Sequence, residues 1–452
     1  MKIAIMGAGT LGKSLANTFC NDKHDVLVID TSSSILERLK DKLDVMTLCG
    51  NGATVETMKN ASIGDMELFI AVSGNDTYNI HACRIAKHFG AKFTLCRLIT
   101  EAYFDPESGF TLETAGIDHI VLPEEACVNK IFDVLDSCHT LEKIHFSHPD
   151  ALVAACRVFS DSPAVKKSLK AFPEKDLINS IRFAAILRKG KMISPRGDTV
   201  LKENDEVYIA GHKDNVNPML KWLAGTACNI KNIVIAGDSL IAVGLAEKLV
   251  KNSYNVRMII KTSEQAEIFL DNSNCGIMVV VGDANDNDIL EEAGVDACDA
   301  FIAVQDDDED NILSCVIAKR MGAAKVITLT TKSEYSRILP SIKSIDCGFS
   351  KWLIAVNSVL CYFSSINKAH TNAILHGTDS YISEYEVQPQ STVCNKNIGE
   401  CTFPASTVLS MIFRGDEVLA PSGNLKLQAG DLATLIIKPE DEHTIAGLFK
   451  GK

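Results

Sequence analysis

Short, almost unbroken apolar runs recur along the first part of the chain, at Ile3 to Met6, Val26 to Ile29, Val45 to Leu48, Leu68 to Val72 and Phe93 to Cys96, with helical periodicity between them. A strand apolar throughout is covered on both faces, so this alternation predicts a parallel sheet flanked by helices on each side. The pattern then changes. ILRKGKMISPRGDTVLKENDEVYIAG holds short alternating segments broken by Lys-Gly, Pro-Arg-Gly-Asp and Glu-Asn-Asp turns, which predicts a small antiparallel α+β lobe.

Both patterns occur twice. Gly50-Asn51-Gly52-Ala53, Phe69-Ile70-Ala71-Val72, Asn79-Ile80 and Ile85-Ala86-Lys87 return as Gly282-Asp283-Ala284-Asn285, Phe301-Ile302-Ala303-Val304, Asn311-Ile312 and Ile317-Ala318-Lys319, at a constant offset of 232. Pro195-Arg196-Gly197-Asp198 through Asn204-Asp205 returns as Pro421-Ser422-Gly423-Asn424 through Gly430-Asp431, at an offset of 226. The expected fold is therefore α/β: a tandem duplication of a Rossmann-like parallel-sheet domain followed by a small α+β lobe. The expected boundaries are 1–138, 139–228, 229–367 and 368–452.

Composition narrows the picture. With 46% apolar and 23% charged residues the chain belongs with folded globular proteins. The opening MKIAIM lacks the basic lead and cleavage site of a signal peptide, which predicts a cytoplasmic protein. The longest mostly apolar stretch, Trp352 to Ile366, is too short to span a bilayer and reads as a packed helix. The 15 cysteines are scattered, odd in number and never spaced C-x-x-C, so they read as reduced core residues. A net charge of −13 argues against nucleic acid as a partner.

The first apolar run ends in Gly7-Ala8-Gly9-Thr10-Leu11-Gly12, a G-x-G-x-x-G between a strand and a helix. Such glycines allow a tight turn, close approach of a pyrophosphate and close packing of helix on strand, while the helix start offers free N–H groups. The second run ends at Asp30, 18 residues beyond Gly12, where an acid accepts the ribose hydroxyls of an adenosine and its charge repels a 2′-phosphate. NAD is therefore expected over NADP. A helix-capping role for Asp30 is the bland alternative. Gly50-Asn51-Gly52, Ser73-Gly74-Asn75-Asp76 and Arg97 stand at further strand ends and are expected to complete the site, with Arg97 either on the phosphates or in an ordinary surface ion pair.

The second copy reads as degraded. Gly237-Asp238-Ser239-Leu240-Ile241-Ala242 replaces two of the three glycines and adds a negative charge, Lys261 stands for the ribose acid, and Leu329 for Arg97. Weak or absent NAD binding is expected there. The bland reading is a structural half, and a phosphate-rich nucleotide partnered by Lys261 is the alternative. The run Asp306-Asp307-Asp308-Glu309-Asp310 matches no EF-hand spacing and reads as a solvated loop, and His145 and His148 lack the further ligands of a metal site. No catalytic constellation stands out, which favours a nucleotide sensor over the alternative, an NAD-dependent oxidoreductase with the smaller lobes as substrate domains.

On GAGTLG with Asp30, the loops at Gly50 and Gly282, the FIAV strands followed by Asn-Ile, and the lobe with its Pro-x-Gly-Asp turn, the chain resembles the TrkA-type peripheral subunits of Trk potassium uptake systems, built from RCK (KTN) domains. The resemblance implies a non-enzymatic regulator that binds NADH or NAD+, with ATP or ADP as further candidates. It implies an assembly into rings on the cytoplasmic face of a K+-translocating membrane subunit. It places the pyrophosphate on Gly7 to Leu11, the adenosine ribose on Asp30, the neighbouring ribose or nicotinamide side on Ser73 and Gly74, and phosphates on Arg97. It also likens Glu125 to Leu135 and Trp352 to Ile366 to crossover helices at a subunit hinge. Asn51 departs from the family, which often has Asp there.

Overall fold

The computed structural model describes residues 1–135, 139–146, 148–172, 175–189, 191–224, 230–272, 276–332, 335, 338–339, 342–367, 369–375 and 380–450. The chain separates into two compact units, one of residues 1–127 with 351–359 and one of residues 128–350 with 360–452.

In the first unit, strands β1 (Lys2–Met6), β2 (Asp25–Asp30), β3 (Met46–Cys49), β4 (Leu68–Ala71), β5 (Phe93–Arg97) and β6 (His119–Val121) form one sheet in the order β3-β2-β1-β4-β5-β6. All pairings are parallel. The five apolar runs of the sequence are the first five strands to within about a residue at each end. The sixth, His-Ile-Val, is too short to show a periodicity. Helices α1 (Thr10–Asn21), α2 (Ser33–Lys40), α3 (Val55–Asn60) and α4 (Asp76–Phe89) connect the strands, and α5 (Pro123–Asp133) follows the last, its residues from Val128 on belonging to the second unit. Phe69, at the centre of β4, is fully buried, as is its counterpart Phe301. Truncating a buried phenylalanine costs about 3–5 kcal/mol, which accounts for the apolar FIAV in both copies.

The second unit holds a parallel sheet of the same order, built from Asn232–Ala236, Asn255–Ile260, Met278–Val281, Ala300–Ala303, Lys325–Thr330 and Cys347–Ser350. It also holds two antiparallel five-stranded sheets. The first comprises Thr140–His145, Ala151–Arg157, Ile181–Arg188, Lys191–Ile193 and Glu206–His212, backed by the helix Lys213–Ala224. The other repeats its topology with Ala369–Ile374, Tyr381–Glu386, Val408–Arg414, Glu417–Leu419 and Leu432–Ile437. These two sheets share a core in which Val153, Ala155 and Ala184 pack with Ile382, Met411 and Phe413. The repeated Asp205 and Asp431 brace the hairpins: each takes a forked pair of bonds, from Arg188 at 2.8 and 2.7 Å and from Arg414 at 2.8 and 2.8 Å.

The stretch Trp352 to Ile366 lies in a helix, Lys351–Asn367, that begins in the first unit and continues in the second. No helix among the described residues is long and apolar enough to cross a membrane. The acidic run is not the solvated loop expected of it. Asp308, Glu309 and Asp310 form the first turn of the helix Asp308–Met321, and Asp307 caps it by accepting the Asp310 N–H at 3.0 Å. Carboxylates complement the positive end of a helix, and Asp308 is buried, accepting the N–H groups of Thr331 and Lys332 at 2.8 Å each. His145 and His148 diverge, to the Asp133 carboxylate at 2.9 Å and the Asp416 carbonyl at 3.0 Å. Among the described residues no three His, Cys, Asp or Glu side chains converge as metal ligands would.

Candidate functional site

The strand order of the first sheet reverses between β1 and β4, and in an open parallel sheet the crevice beyond the carboxyl ends of the strands at that point receives ligands. β1 ends at Met6 and the chain turns at Gly7 with φ +105°, where a Cβ would lie 2.9 Å from the Ser73 nitrogen. A Cβ on Gly12 would lie 1.8 Å from the Gly7 carbonyl oxygen, so α1 can start this close to the strand only with glycine there. Gly9 is different: nothing lies within 4 Å of an added Cβ, and the backbone faces open space. α1 begins at Thr10 with Gly9 at its cap position and no side chain bonded to its first N–H groups. The start of α1, from Thr10 through Leu11 to Gly12, thus offers N–H groups to an anion.

Asp30 closes β2. Its Oδ2 accepts the Ala8 N–H at 2.6 Å and its Oδ1 the Ser32 N–H at 2.9 Å, so the carboxylate braces the glycine turn. It does not cap α2, whose cap position is Ser32. Beyond β4, the Ser73 N–H and hydroxyl both donate to Asn79 Oδ1, at 3.0 and 2.6 Å, and Asn79 Nδ2 donates to the carbonyls of Ser73 and Arg97 at 3.0 and 2.9 Å. One buried asparagine therefore ties the ends of β4 and β5 together. Nothing lies within 4 Å of a Cβ built on Gly74. Asn51 folds into its own loop, accepting the Ala53 N–H at 2.9 Å.

Arg97 is not in a surface ion pair. It is 8% exposed, its Nη1 3.7 Å from Asp76 Oδ1 and its Nη2 3.3 Å from Glu124 Oε1. β5 is an interior strand, and the side chain at its end lies between Asp76, the first residue of α4, and Glu124, in the first turn of α5. Arg97 Nε has no hydrogen-bond partner.

The second copy differs where it matters. Gly237 repeats the turn of Gly7 at φ +124°, but the helix after it starts at Leu240 and is capped by Ser239, whose oxygen accepts the Ala242 N–H at 3.3 Å while its hydroxyl donates to the Val304 carbonyl at 2.8 Å. The Ser239 oxygen thus takes up one of the first N–H groups of this helix, where α1 has no side-chain cap. Lys261 lies 3.5 Å from Asp283 and 3.8 Å from Asp310, so its charge is matched within the protein, and Asp238 adds a further carboxylate. Leu329 is buried. The buried asparagine recurs, with Asn311 Nδ2 donating to the Gln305 and Leu329 carbonyls at 2.9 and 3.1 Å.

Two residues that shape the first site, Asn79 and Glu124, were not expected there, and Asp76 was expected only as part of its loop and not as a partner of Arg97. Asn79 and Asp76 carried a signal, since Asn and Asp recur at the same offset as Asn311 and Asp308. Glu124 carried none, for its counterpart is not acidic and its partner Arg97 lies 27 residues away.

The TrkA-N domain family matches residues 3–123 and 233–346, and the TrkA-C domain family residues 153–224 and 382–450. The Trk system potassium uptake protein TrkA of Vibrio alginolyticus is 27% identical over 441 residues, covering 97% of this chain and 96% of that protein. The Trk system potassium uptake protein TrkA homolog 1 of Methanosarcina mazei is 28% identical over 462 residues and the full length of both. Among solved structures, the GsuK RCK domain superposes with a TM-score of 0.62 at 17% identity over 98% of this chain and 94% of that one. The GsuK channel bound to NAD does so with a TM-score of 0.62 at 16% identity over 99% of this chain and 78% of that one. At these identities the superpositions speak for the fold, a twice-repeated RCK arrangement.

Proposed function

The chain belongs to the TrkA-N/TrkA-C family of Trk potassium uptake proteins, and on that premise we propose that it is a nucleotide-sensing regulatory subunit that gates a K+-translocating membrane protein. Its relatives are named for potassium uptake and not for any enzymatic activity. One NAD(H) binds per chain, in the first repeat. The observation that carries this reading is the contrast between the two helix starts: that of α1 has no side-chain cap and open space beside Gly9, while its counterpart is closed by Ser239.

Gly7, Ala8, Gly9, Thr10, Leu11 and Gly12 hold the pyrophosphate, Asp30 the adenosine ribose, and Ser73 and Gly74 the side toward the second ribose, with Asn51 on the rim and Arg97 available to the phosphates. The bound nucleotide supplies charge and contact area to one arrangement of the loops over another. A ligand shifts a conformational equilibrium only by its difference in affinity for the two states. The domains run 1–138, 139–228, 229–367 and 368–452, and the second parallel-sheet domain serves assembly. NAD is the nucleotide that the GsuK channel structure carries, and ATP or ADP are competitors for the same loop. The protein works as a ring of several copies on the cytoplasmic face of the membrane, held there by its partner.

The test has two parts. Calorimetric titration of the full chain with NADH, NAD+ and ATP, beside Asp30→Ala, is expected to give one NAD(H) per chain and strong weakening by the substitution. Co-expression with a K+-translocating membrane subunit is then expected to give co-purification and a K+ flux that depends on nucleotide in the wild type alone. Two equivalent sites, or flux indifferent to nucleotide, would overturn the proposal.

A further inference from the structure

The buried charges behind the first site do not end at Arg97. Glu124, in the first turn of α5, holds two cations on a single oxygen: Oε1 is 3.3 Å from Arg97 Nη2 and 2.8 Å from Lys351 Nζ. Lys351 is the first residue of the helix Lys351–Asn367 and belongs to the same unit as Glu124 and Arg97. The chain therefore carries a line of opposite charges, Asp76, Arg97, Glu124 and Lys351, from the start of α4 to the head of that helix, and its four formal charges cancel.

The line is incompletely bonded. Asp76 Oδ1, Arg97 Nε and Glu124 Oε2 are all buried without a hydrogen-bond partner, while Asp76 Oδ2 is committed to the Ile99 N–H at 2.8 Å. Buried polar groups left unbonded are costly, and most native ones find partners. An arginine in that condition is poised to accept a further partner at small cost to the pairs it already makes. A lysine at a helix start is itself unfavourable beside the positive end of the helix unless a carboxylate offsets it. Glu124 provides that carboxylate, and shares it with Arg97.

We infer that Glu124 is a positioning residue that links nucleotide binding in the first repeat to the helix Lys351–Asn367, by passing its shared carboxylate oxygen from Arg97 to Lys351. The inference rests on the nucleotide reading given above. A pyrophosphate on the start of α1 adds negative charge to the crevice at the β-strand ends, and Arg97, with a free Nε, is drawn toward it. Glu124 Oε1 is then left to Lys351 alone, which tightens the first turn of the helix. That helix runs from the first unit into the second, so a change in its first turn is passed along a continuous backbone. No bond is made or broken in this exchange.

Hydrogen–deuterium exchange on the full-length protein, with and without saturating NADH, reads the effect directly, in parallel with calorimetry on the same samples. In the wild type NADH is expected to slow exchange across residues 351–359. In Lys351→Met NADH still binds, with affinity changed by less than about fivefold, the lower end of typical allosteric coupling, and in both Lys351→Met and Glu124→Gln the slowing across 351–359 is lost while that around the Gly7 loop remains. Lys351→Arg, which keeps the charge, is expected to restore it. Slowing that persists in both variants, or is absent in a wild type that binds NADH, overturns the relay and leaves the nucleotide reading standing. A wild type that binds no NADH overturns both.

Discussion

The Asp30 carboxylate receives the Ala8 N–H at 2.6 Å, across a separation of 22 residues. The acid at the end of β2 thus shapes the glycine turn before any ligand arrives, and the expected ribose contact is a second duty of the same group. Hydrogen bonds to a charged acceptor contribute about 1.5–3 kcal/mol each, so Asp30→Ala is expected to lower stability as well as NADH affinity. Asp30→Glu separates the two duties, since its longer arm keeps the charge and displaces the brace. Denaturant melts should show the alanine variant less stable by about 1–3 kcal/mol. Calorimetry should show its NADH affinity down by at least about tenfold, the equivalent of about 1.4 kcal/mol. A variant of unchanged stability would mean that the Ala8 contact contributes nothing.

Gly9 and Ser239 occupy equivalent cap positions, and only the second is filled. Gly9 has φ −68° and open space around an added Cβ, so Gly9→Ser is sterically permitted. Its hydroxyl is expected to cap α1 as Ser239 caps the second helix, stabilising the fold by a few tenths of a kcal/mol while obstructing the phosphate position. Thermal melting and NADH titration should therefore move in opposite directions: equal or higher melting temperature, and affinity reduced by about tenfold or more. A serine variant that binds NADH as the wild type does would remove the contrast on which the single-site reading stands.

The paired arginine–aspartate forks make a separate prediction about the lobes. Asp205 is 1% exposed and also accepts the Lys202 N–H at 2.8 Å, and Asp431 accepts the Gln428 N–H at the same distance. Removing one partner of such a buried pair strands the other charge, at a cost of about 3–5 kcal/mol when burial is complete. Arg188 and Arg414 are partly exposed, so Asp205→Asn and Asp431→Asn are each expected to cost about 2–3 kcal/mol. Chemical denaturation of each single variant measures it, and the two losses should be similar because the two networks match bond for bond.

What the sequence made legible, and what it hid, divides along range. Patterns of period two or none gave the strands, because burial on both faces acts on each residue by itself. The duplication was legible because Phe69 and Phe301, or Asp205 and Asp431, meet the same structural demand. The surroundings of Arg97 were not, since Asp76 and Glu124 come from the first turns of α4 and α5, on either side of it in sequence, and Lys351 lies 227 residues beyond Glu124. Nor did the acidic run announce that Asp308 turns inward. Its charge pattern resembles that of a solvated surface, and only the placement of Thr331 and Lys332, which supply N–H groups at the end of the next strand, makes a buried carboxylate tolerable there.

β6 carries the last prediction. His119 pairs in register with Leu95 of β5, and burial lowers its imidazole pKa from the ordinary 6.5. The folded protein therefore keeps this ring neutral at a pH where the unfolded chain has begun to protonate it. Below pH 6.5 the unfolded state binds the extra proton, and stability rises with pH wherever the unfolded state binds more protons. Stability is thus expected to fall as pH drops through the unfolded value, and to level off once the folded ring also protonates. The sign is opposite to that of a histidine that gains a carboxylate partner on folding. Melting temperatures between about pH 7.5 and about pH 5.5, above the range in which unperturbed carboxylates titrate, should decline in the wild type and decline less in His119→Gln, which keeps a polar side chain of similar reach. An equal slope in the two proteins would assign the acid sensitivity to other groups and remove His119 from the account.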